Sequence, residues 1–404
     1  MAAAAFLVNM GFSAVPAPLY VLYQQRDHFS TITITVVYAV YAVGVIGSLF
    51  LGGHISDWVG RKRVLVPSLL ANVLAAAIFV VAPSLPGLLL ARVISGLSIG
   101  LTTATATAYI SELHVGTSAA QRGERRGQVV ATAANLGGIG VGPLIAGLLA
   151  QFAPQPLRLP YYVFGALLLM LALLVALSPE TTDRPVPAPR WRPQQIAVPA
   201  AARRVFFAAT AGGLASFAVF GVFNSLVPSF LAGTLHETSH ALAGAMAFVV
   251  FASGAVAQVA LSRLGLRHML HVGLSLLITG LVMLVAGMWL PSLGLFAVGG
   301  VVTGAGGGLV FRGALTVAGS SAPRGARAEV LAGYFLGAYV GLSVPVLALG
   351  VATQFVAARY TMLAFVLLVS VALVISARMV LLLTEREGHR TSTAAGGELR
   401  SSRA

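Results

Sequence analysis

Twelve apolar runs of about 20 residues constrain this chain more than any other feature. A helix of that length crosses the hydrocarbon core of a bilayer. Inside lipid the backbone must satisfy its own hydrogen bonds, which favours helices over open strands. The runs fall at about 4–24, 31–53, 64–82, 86–110, 128–151 and 160–178, then 205–231, 240–261, 269–289, 292–315, 329–352 and 357–383. With 58% hydrophobic and only 9% charged residues over 404 positions, a water-soluble globule could not cover its apolar surface. The opening "MAAAAFLVNMGF" has no basic leader and runs into further apolar segments, so it reads as an uncleaved first helix.

The net charge of +14 would suit a nucleic-acid binder, but the basic residues sit in the joins between runs. That is a topology signal, and no nucleic-acid partner is expected. One set of joins and the tail carry 19 basic residues, against Arg26, Arg158 and Arg359 in the opposite set. This places both termini in the cytoplasm, with the lipid bilayer as the main partner. Lys62 is the single lysine, and Ala, Gly and Val abound, which points to a GC-rich bacterial genome and so to a bacterial inner membrane. The absence of cysteine excludes disulfide and thiol chemistry. There is no phosphate loop, and the histidines are scattered, His236 and His240 being the closest pair. We therefore expect no cofactor, no metal and no enzymatic activity.

The runs divide into two sets of six. Residues 179–204, rich in proline and arginine, read as a cytoplasmic linker between an N-terminal bundle (1–178) and a C-terminal bundle (205–383), and 384–404 read as a disordered cytoplasmic tail. Gly11 and Pro18 are matched by Gly221 and Pro228; "DWVGRKR" from Asp57 by "SRLGLRH" from Ser262; "RGQVVA" from Arg126 by "RAEVLA" from Arg327. Three matches in order indicate a repeat of six helices.

Charge is concentrated in "GGHISDWVGRKRVL", between the second and third runs. Gly53, Asp57, Gly60, Arg61 and Lys62 there follow the pattern G-x-x-x-D-x-x-G-R-K, with Trp58 where a basic residue is usual. This resembles the signature loop of the major facilitator superfamily. The resemblance implies an all-α membrane protein of twelve transmembrane helices in two pseudo-symmetric six-helix bundles. It also implies that Asp57 meets the start of helix 11, near Glu329, and latches the cytoplasmic side; Ser262 replaces the aspartate in the second copy. "RVISGLSIG" from Arg92 resembles the superfamily's helix 4 motif. Helical spacing puts Arg92, Ser95, Ile99, Thr102, Ala106 and Tyr109 on one face, expected to line a cavity. Arg92 is also close enough to the outer end to snorkel to the headgroups. Gly138, Gly142, Pro143 and Gly147 in "NLGGIGVGPLIAG" resemble the helix 5 motif of the twelve-span drug:proton antiporter group, where small residues allow close helix approach. "SPET" at 178–181 resembles the close of the first half in such proteins.

In this superfamily helices 1, 4, 7 and 10 line the cavity. Candidate substrate contacts are Asn9, Ser13 and Tyr20, Ser95 and Thr102, Asn135, Phe220 and Asn224, and Thr303, whose neighbouring "GAGGG" leaves room for a ligand or for flexing. Tyr334 and Tyr339 of helix 11 join them. The apolar, aromatic character suits a lipophilic or amphiphilic solute. No carboxylate lies at mid-span, so Arg92, Asp57 and Glu112 are the candidates for proton coupling. The expected function is a monomeric secondary exporter exchanging a small molecule for protons; the alternative is a facilitator or uptake transporter of the same fold.

Overall fold

The computed structural model describes residues 1–53, 55–115, 120–181, 198–322 and 327–401. Among the described residues, twelve helices are long and apolar enough to span a membrane: α1 (Ala2–Asp27), α2 (Thr31–Gly52), α3 (Arg61–Val81), α4 (Leu85–Leu113), α5 (Val129–Phe152), α6 (Leu159–Ala176), α7 (Arg203–Ser225), α8 (His240–Ala260), α9 (Leu266–Trp289), α10 (Leu293–Ser320), α11 (Glu329–Ala352) and α12 (Ala358–Leu382). Their bounds follow local chemistry. Ser30, Ser239 and Ser292 cap α2, α8 and α10 by accepting the amide three residues on. Pro83 and Pro291 lie in the tight joins between α3 and α4 and between α9 and α10. Helical backbone continues beyond α12 to Ser401, where the sequence suggests a disordered tail; no proline stops it.

Two spans are interrupted at matching places. The helix of α1 stops at Ala14, passes through a turn and the 3-10 segment Ala17–Leu19, and resumes at Tyr20. Pro16 and Pro18 lack the amide hydrogens that would carry the ladder through. In α7 the helix stops at Ser225 and a second piece, Val227–Thr234, begins with Pro228 near its first position. The second member of the repeated Gly–Pro pair, Pro18, lies within the first break, and its mate Pro228 lies just after the second.

Packing repeats with a period of six spans. α1 packs on α5 as α7 packs on α11; α2 on α4 as α8 on α10; α3 on α4 and α6 as α9 on α10 and α12. The two sets of six meet through α5 with α8 and α2 with α11. A two-fold operation exchanges these two interfaces, as expected for a tandem repeat.

The close contacts between the sets gather from mid-span to the end remote from the chain termini, here the far end. A Cβ on Gly350 of α11 would lie 2.5 Å from Thr35 Oγ1 of α2, and one on Gly147 of α5 would lie 2.4 Å from the His240 carbonyl of α8. Ser343 Oγ donates to the Ala39 carbonyl (3.4 Å). At the termini end, by contrast, Thr107 of α4 is exposed and the Asp57 side chain retains 55% exposure. The molecule is drawn shut at the far end.

Candidate functional site

Three groups of polar or aromatic residues stand out. The first is the charged joint at the termini end. α2 ends at Gly52, Gly53 turns out of it, a short helix Ser56–Val59 follows, and Gly60 leads into α3. Gly60 has φ +115°, a conformation open to glycine and strained for other residues. A Cβ there would also strike Glu180 Oε2 at 2.6 Å. Glu180, from "SPET" after α6, caps the start of α3: its carboxylate accepts the amides of Arg61 (2.8 Å) and Lys62 (3.3 Å). An anion at a helix N-terminus satisfies orphan donors and complements the helix dipole. Lys62 Nζ closes the same junction by donating to the Ser178 carbonyl (3.2 Å).

Arg61 is the hub. Its guanidinium donates to Ser56 Oγ (2.7 Å), to Asp57 Oδ1 (2.5 Å) and to Glu112 of α4 through Nη2 (2.7 Å) and Nε (3.2 Å). The paired donors match a carboxylate fork. Thr181 Oγ1 donates to Glu112 (2.5 Å), and the Tyr109 hydroxyl donates to the Pro179 carbonyl. Asp57 and Glu112, sequence candidates for latching and coupling, are thus brought together on Arg61. Glu329 lies half-buried in the first turn of α11.

The second group surrounds Arg92. It does not snorkel: it is 2% exposed. Nη1 donates to the Ser13 carbonyl (2.7 Å), Nη2 to the Tyr38 carbonyl (3.2 Å) and Nε to the Val37 carbonyl (3.3 Å). The cation also stands 4.5 Å from the Tyr41 ring centroid and 5.6 Å from that of Tyr38. Among the described residues no carboxylate pairs with it. The break in α1 explains the arrangement. Ser13 lies beside the interruption, where the helical ladder no longer serves its carbonyl, and Arg92 supplies a donor inside the membrane. Arg92 thereby ties α4 to α1 and α2.

The third group is aromatic and bridges the two sets of six. Tyr41 of α2 meets Tyr339 of α11 (ring centroids 6.5 Å), Tyr339 meets Phe217 of α7 (5.5 Å), and Phe217 meets Phe311 of α10 (5.0 Å). The Tyr339 hydroxyl faces Thr103 of α4, and that of Tyr41 faces Ser13. Phe217 and Phe311 remain only half-buried although they stand among packed spans. Phe220 stacks on Phe251 of α8 (5.0 Å) and covers Gly307. These side chains form an aromatic floor where the far-end contacts begin.

Several sequence candidates have other tasks. Asn9 Nδ2 donates to Thr102 Oγ1 (2.8 Å) and Ser98 Oγ (3.1 Å), and Asn9 Oδ1 accepts from Asn72 Nδ2 (2.8 Å). Asn9 and Thr102 therefore satisfy each other and stitch α1, α3 and α4 together. The face of α4 from Arg92 to Tyr109, expected to line a cavity, is buried. Tyr334 is fully buried and donates to the Phe311 carbonyl (3.1 Å), clamping α11 to α10. The "GAGGG" run does not leave ligand space: a Cβ on Gly304 would lie 2.1 Å from the Val250 carbonyl, one on Gly306 2.2 Å from the Leu277 amide, and one on Gly308 2.6 Å from the Gly254 carbonyl. It lets α8 and α9 approach α10. Ser13 Oγ bonds back to Met10 (2.7 Å), Tyr20 is buried, and Asn135 is half-buried on α5. Among the described residues, Ser95 Oγ, Asn224 Oδ1 and Thr303 Oγ1 are buried without a hydrogen-bond partner, as is Ser225 Oγ at the α7 break. Such atoms are uncommon and favour sites that a ligand or water completes.

The helix 5 residues do what small residues permit. A Cβ on Gly138 would meet the Leu7 carbonyl at 2.3 Å, one on Gly142 the Gly11 carbonyl at 2.0 Å, and one on Gly244 of α8 the Pro143 carbonyl at 2.2 Å. α5 is thus in backbone contact with α1 on one side and with α8 on the other. Two intramembrane basic residues escape a reading confined to the joins. Arg312 of α10 donates to the Gln258 carbonyl of α8, and Arg378 of α12 is exposed near the termini end. Their signal is a charge inside an apolar run.

A family model described as Major Facilitator Superfamily matches residues 1–286. None of the curated proteins matches the chain. Among solved structures, a mutant of the nucleoside transporter NupG superposes with a TM-score of 0.66 at 14% identity, covering 95% of this chain and 98% of that one. At that identity the likeness concerns the fold.

Proposed function

Because this chain belongs to the major facilitator superfamily, we propose that it is a secondary active transporter exporting a small lipophilic or amphiphilic solute by alternating access, in exchange for protons. The observation that carries this reading is the aromatic floor of Tyr41, Phe217, Phe311 and Tyr339 between the two bundles. Aromatic faces with a few hydroxyls and orphan acceptors suit a flat apolar solute with one or two polar groups. The bundles 1–178 and 205–383 rock about the floor, with 179–204 as the linker and both termini cytoplasmic. The backbone seal of α5 against α1 and α8 supports an exchanger, which must not leak along the substrate path. Asp57 and Glu112 are the carboxylates offered for coupling; Arg92, permanently charged, acts by holding α1. Asp57 latches the termini end by meeting the start of α11 when that end closes.

A second reading, facilitated or uptake transport, is favoured by the NupG likeness, since that protein is a nucleoside transporter, and by the lack of a mid-span carboxylate. Proteoliposomes separate the two. Export predicts that a fluorescent lipophilic cation moves against its gradient only while a pH gradient is imposed, and that a protonophore stops it. Equal transport with and without the gradient, or uphill nucleoside uptake, would give the answer to the second reading.

A further inference from the structure

We propose that Gln151 is a latch for the far end, a positioning residue that biases alternating access toward the closed state seen here; this rests on the transport reading above. α8 starts at His240, and the amides of the cap Ser239 and of its first three residues lack partners along the helix. Its own cap, Ser239, serves Leu242 (3.2 Å). The His240 amide is served from the other bundle: it donates to Gln151 Oε1 at the end of α5 (2.9 Å). Backbone contact beside the bond fixes its geometry. Gly147, one turn before Gln151, faces the His240 carbonyl, and Pro143, one turn earlier, faces Gly244. The bond therefore exists only while α5 and α8 are together, and His240 turns to water when the far end opens.

The sequence repeats the device. "GLLAQF" from Gly147 returns as "GVATQF" from Gly350, at the end of α11. Gly350 packs on Thr35 near the start of α2, as Gly147 packs on the start of α8. Phe152 and Phe355 are 79% and 81% exposed, so both copies end at a solvent or lipid boundary. Gln151 and Gln354 are both exposed, and α2 has the same serine cap as α8 (Ser30, 3.2 Å to Thr33), but among the described residues no bond from the Gln354 side chain to α2 matches the one from Gln151 to His240. The latch is made on one side. A neutral amide suits it: the bond is worth enough to favour closure and little enough to break in each cycle.

The chain has no cysteine, so a single Ala39→Cys reports the far end. Ala39 is buried on α2 opposite Ser343 and becomes accessible to a water-soluble maleimide only as that end opens. Gln151→Ala should raise the labelling rate by about 2- to 12-fold, the range for losing one hydrogen bond. Gln151→Glu keeps the acceptor and adds a charge that suits a helix N-terminus, so it should lower the rate by about 2- to 5-fold. Gln354→Ala should leave it unchanged. Opposite shifts for Ala and Glu are the mark of a latch. If both substitutions raise labelling, Gln151 only supports structure and the latch is wrong. If wild type is labelled and neither substitution changes the rate, the latch is wrong while alternating access stands. If Ala39→Cys is never labelled in unsubstituted or substituted protein, the far end does not open and the transport reading fails with it.

Discussion

Gly142→Ala tests the seal between α1 and α5 with the smallest possible change. The new methyl would lie 2.0 Å from the Gly11 carbonyl oxygen, 2.6 Å from its carbon and 2.8 Å from its Cα. Ordinary contact begins at 3.4 Å, so the helices must part by about 1.4 Å. Every opposing atom is backbone, so no rotamer change relieves the clash. Overpacking of this kind costs about 1–3 kcal/mol, and the clash is severe enough to favour the upper value. Alanine's better helix propensity offsets about 1 kcal/mol. The net loss is therefore about 2 kcal/mol. Gly137→Ala is the control: nothing lies within 4 Å of its Cβ position, so only the propensity gain of about 1 kcal/mol remains. The two variants should differ by about 3 kcal/mol in unfolding by SDS from bicelles, and only Gly142→Ala should raise proton leak in liposomes. Equal stability with wild-type leak in both would refute the close-packed seal.

Three further substitutions probe the polar sites. Arg92→Met removes a buried charge, which offsets part of the loss, but leaves the Ser13 carbonyl without its donor, a cost of about 1–3 kcal/mol; transport should collapse while the protein still folds, and Arg92→Lys should not rescue it because an ammonium cannot reproduce the three-way fork. Wild-type transport in Arg92→Met would show the tie to be dispensable. Glu112→Gln weakens the Arg61 hub by about 1 kcal/mol, given that the Glu112 side chain is 35% exposed and screened by water; the loss should shrink at high salt, and a salt-independent loss would point away from the ion pair. Asp57→Asn should leave folding intact and shift the resting state toward the termini-open form by about 5- to 150-fold; unchanged cysteine accessibility at both ends would reduce the joint to a topology signal.

What the sequence made legible follows from what periodicity can carry. Span length and hydropathy are local properties, and all twelve helices were found near their expected places. Helical spacing then shows which side chains share a face, but not which neighbour that face meets. Asn9 and Thr102 illustrate the limit: both lie on polar stripes, and a polar stripe points equally well at a cavity or at another polar stripe. Here they meet each other. Glycine is ambiguous in the same way, since missing side-chain volume can admit a ligand or a helix. In α10 helices fill it. The Glu180 cap on α3 joins residues 119 apart, beyond any local rule.

The repeat also shows where the two bundles differ in kind. Both contain a proline-broken span, but only the first supports its break with a buried cation. The first half of α10, "LGLFAVGG" from Leu293, has no basic residue to match Arg92, and Asn224 and Ser225 at the α7 break keep unpartnered oxygens. The same contrast holds at the charged joint. Gly60 needs φ +115° to bring Arg61 and Glu180 together, whereas its repeat mate Gly265 has φ −61° and Ser262 stands in place of Asp57. In the first bundle, polar side chains that bridge several helices hold both the break and the joint. In the second, Asn224 Oδ1 and Ser225 Oγ at the break are buried with no hydrogen-bond partner among the described residues. A buried acceptor without a donor gains most from a ligand that brings one.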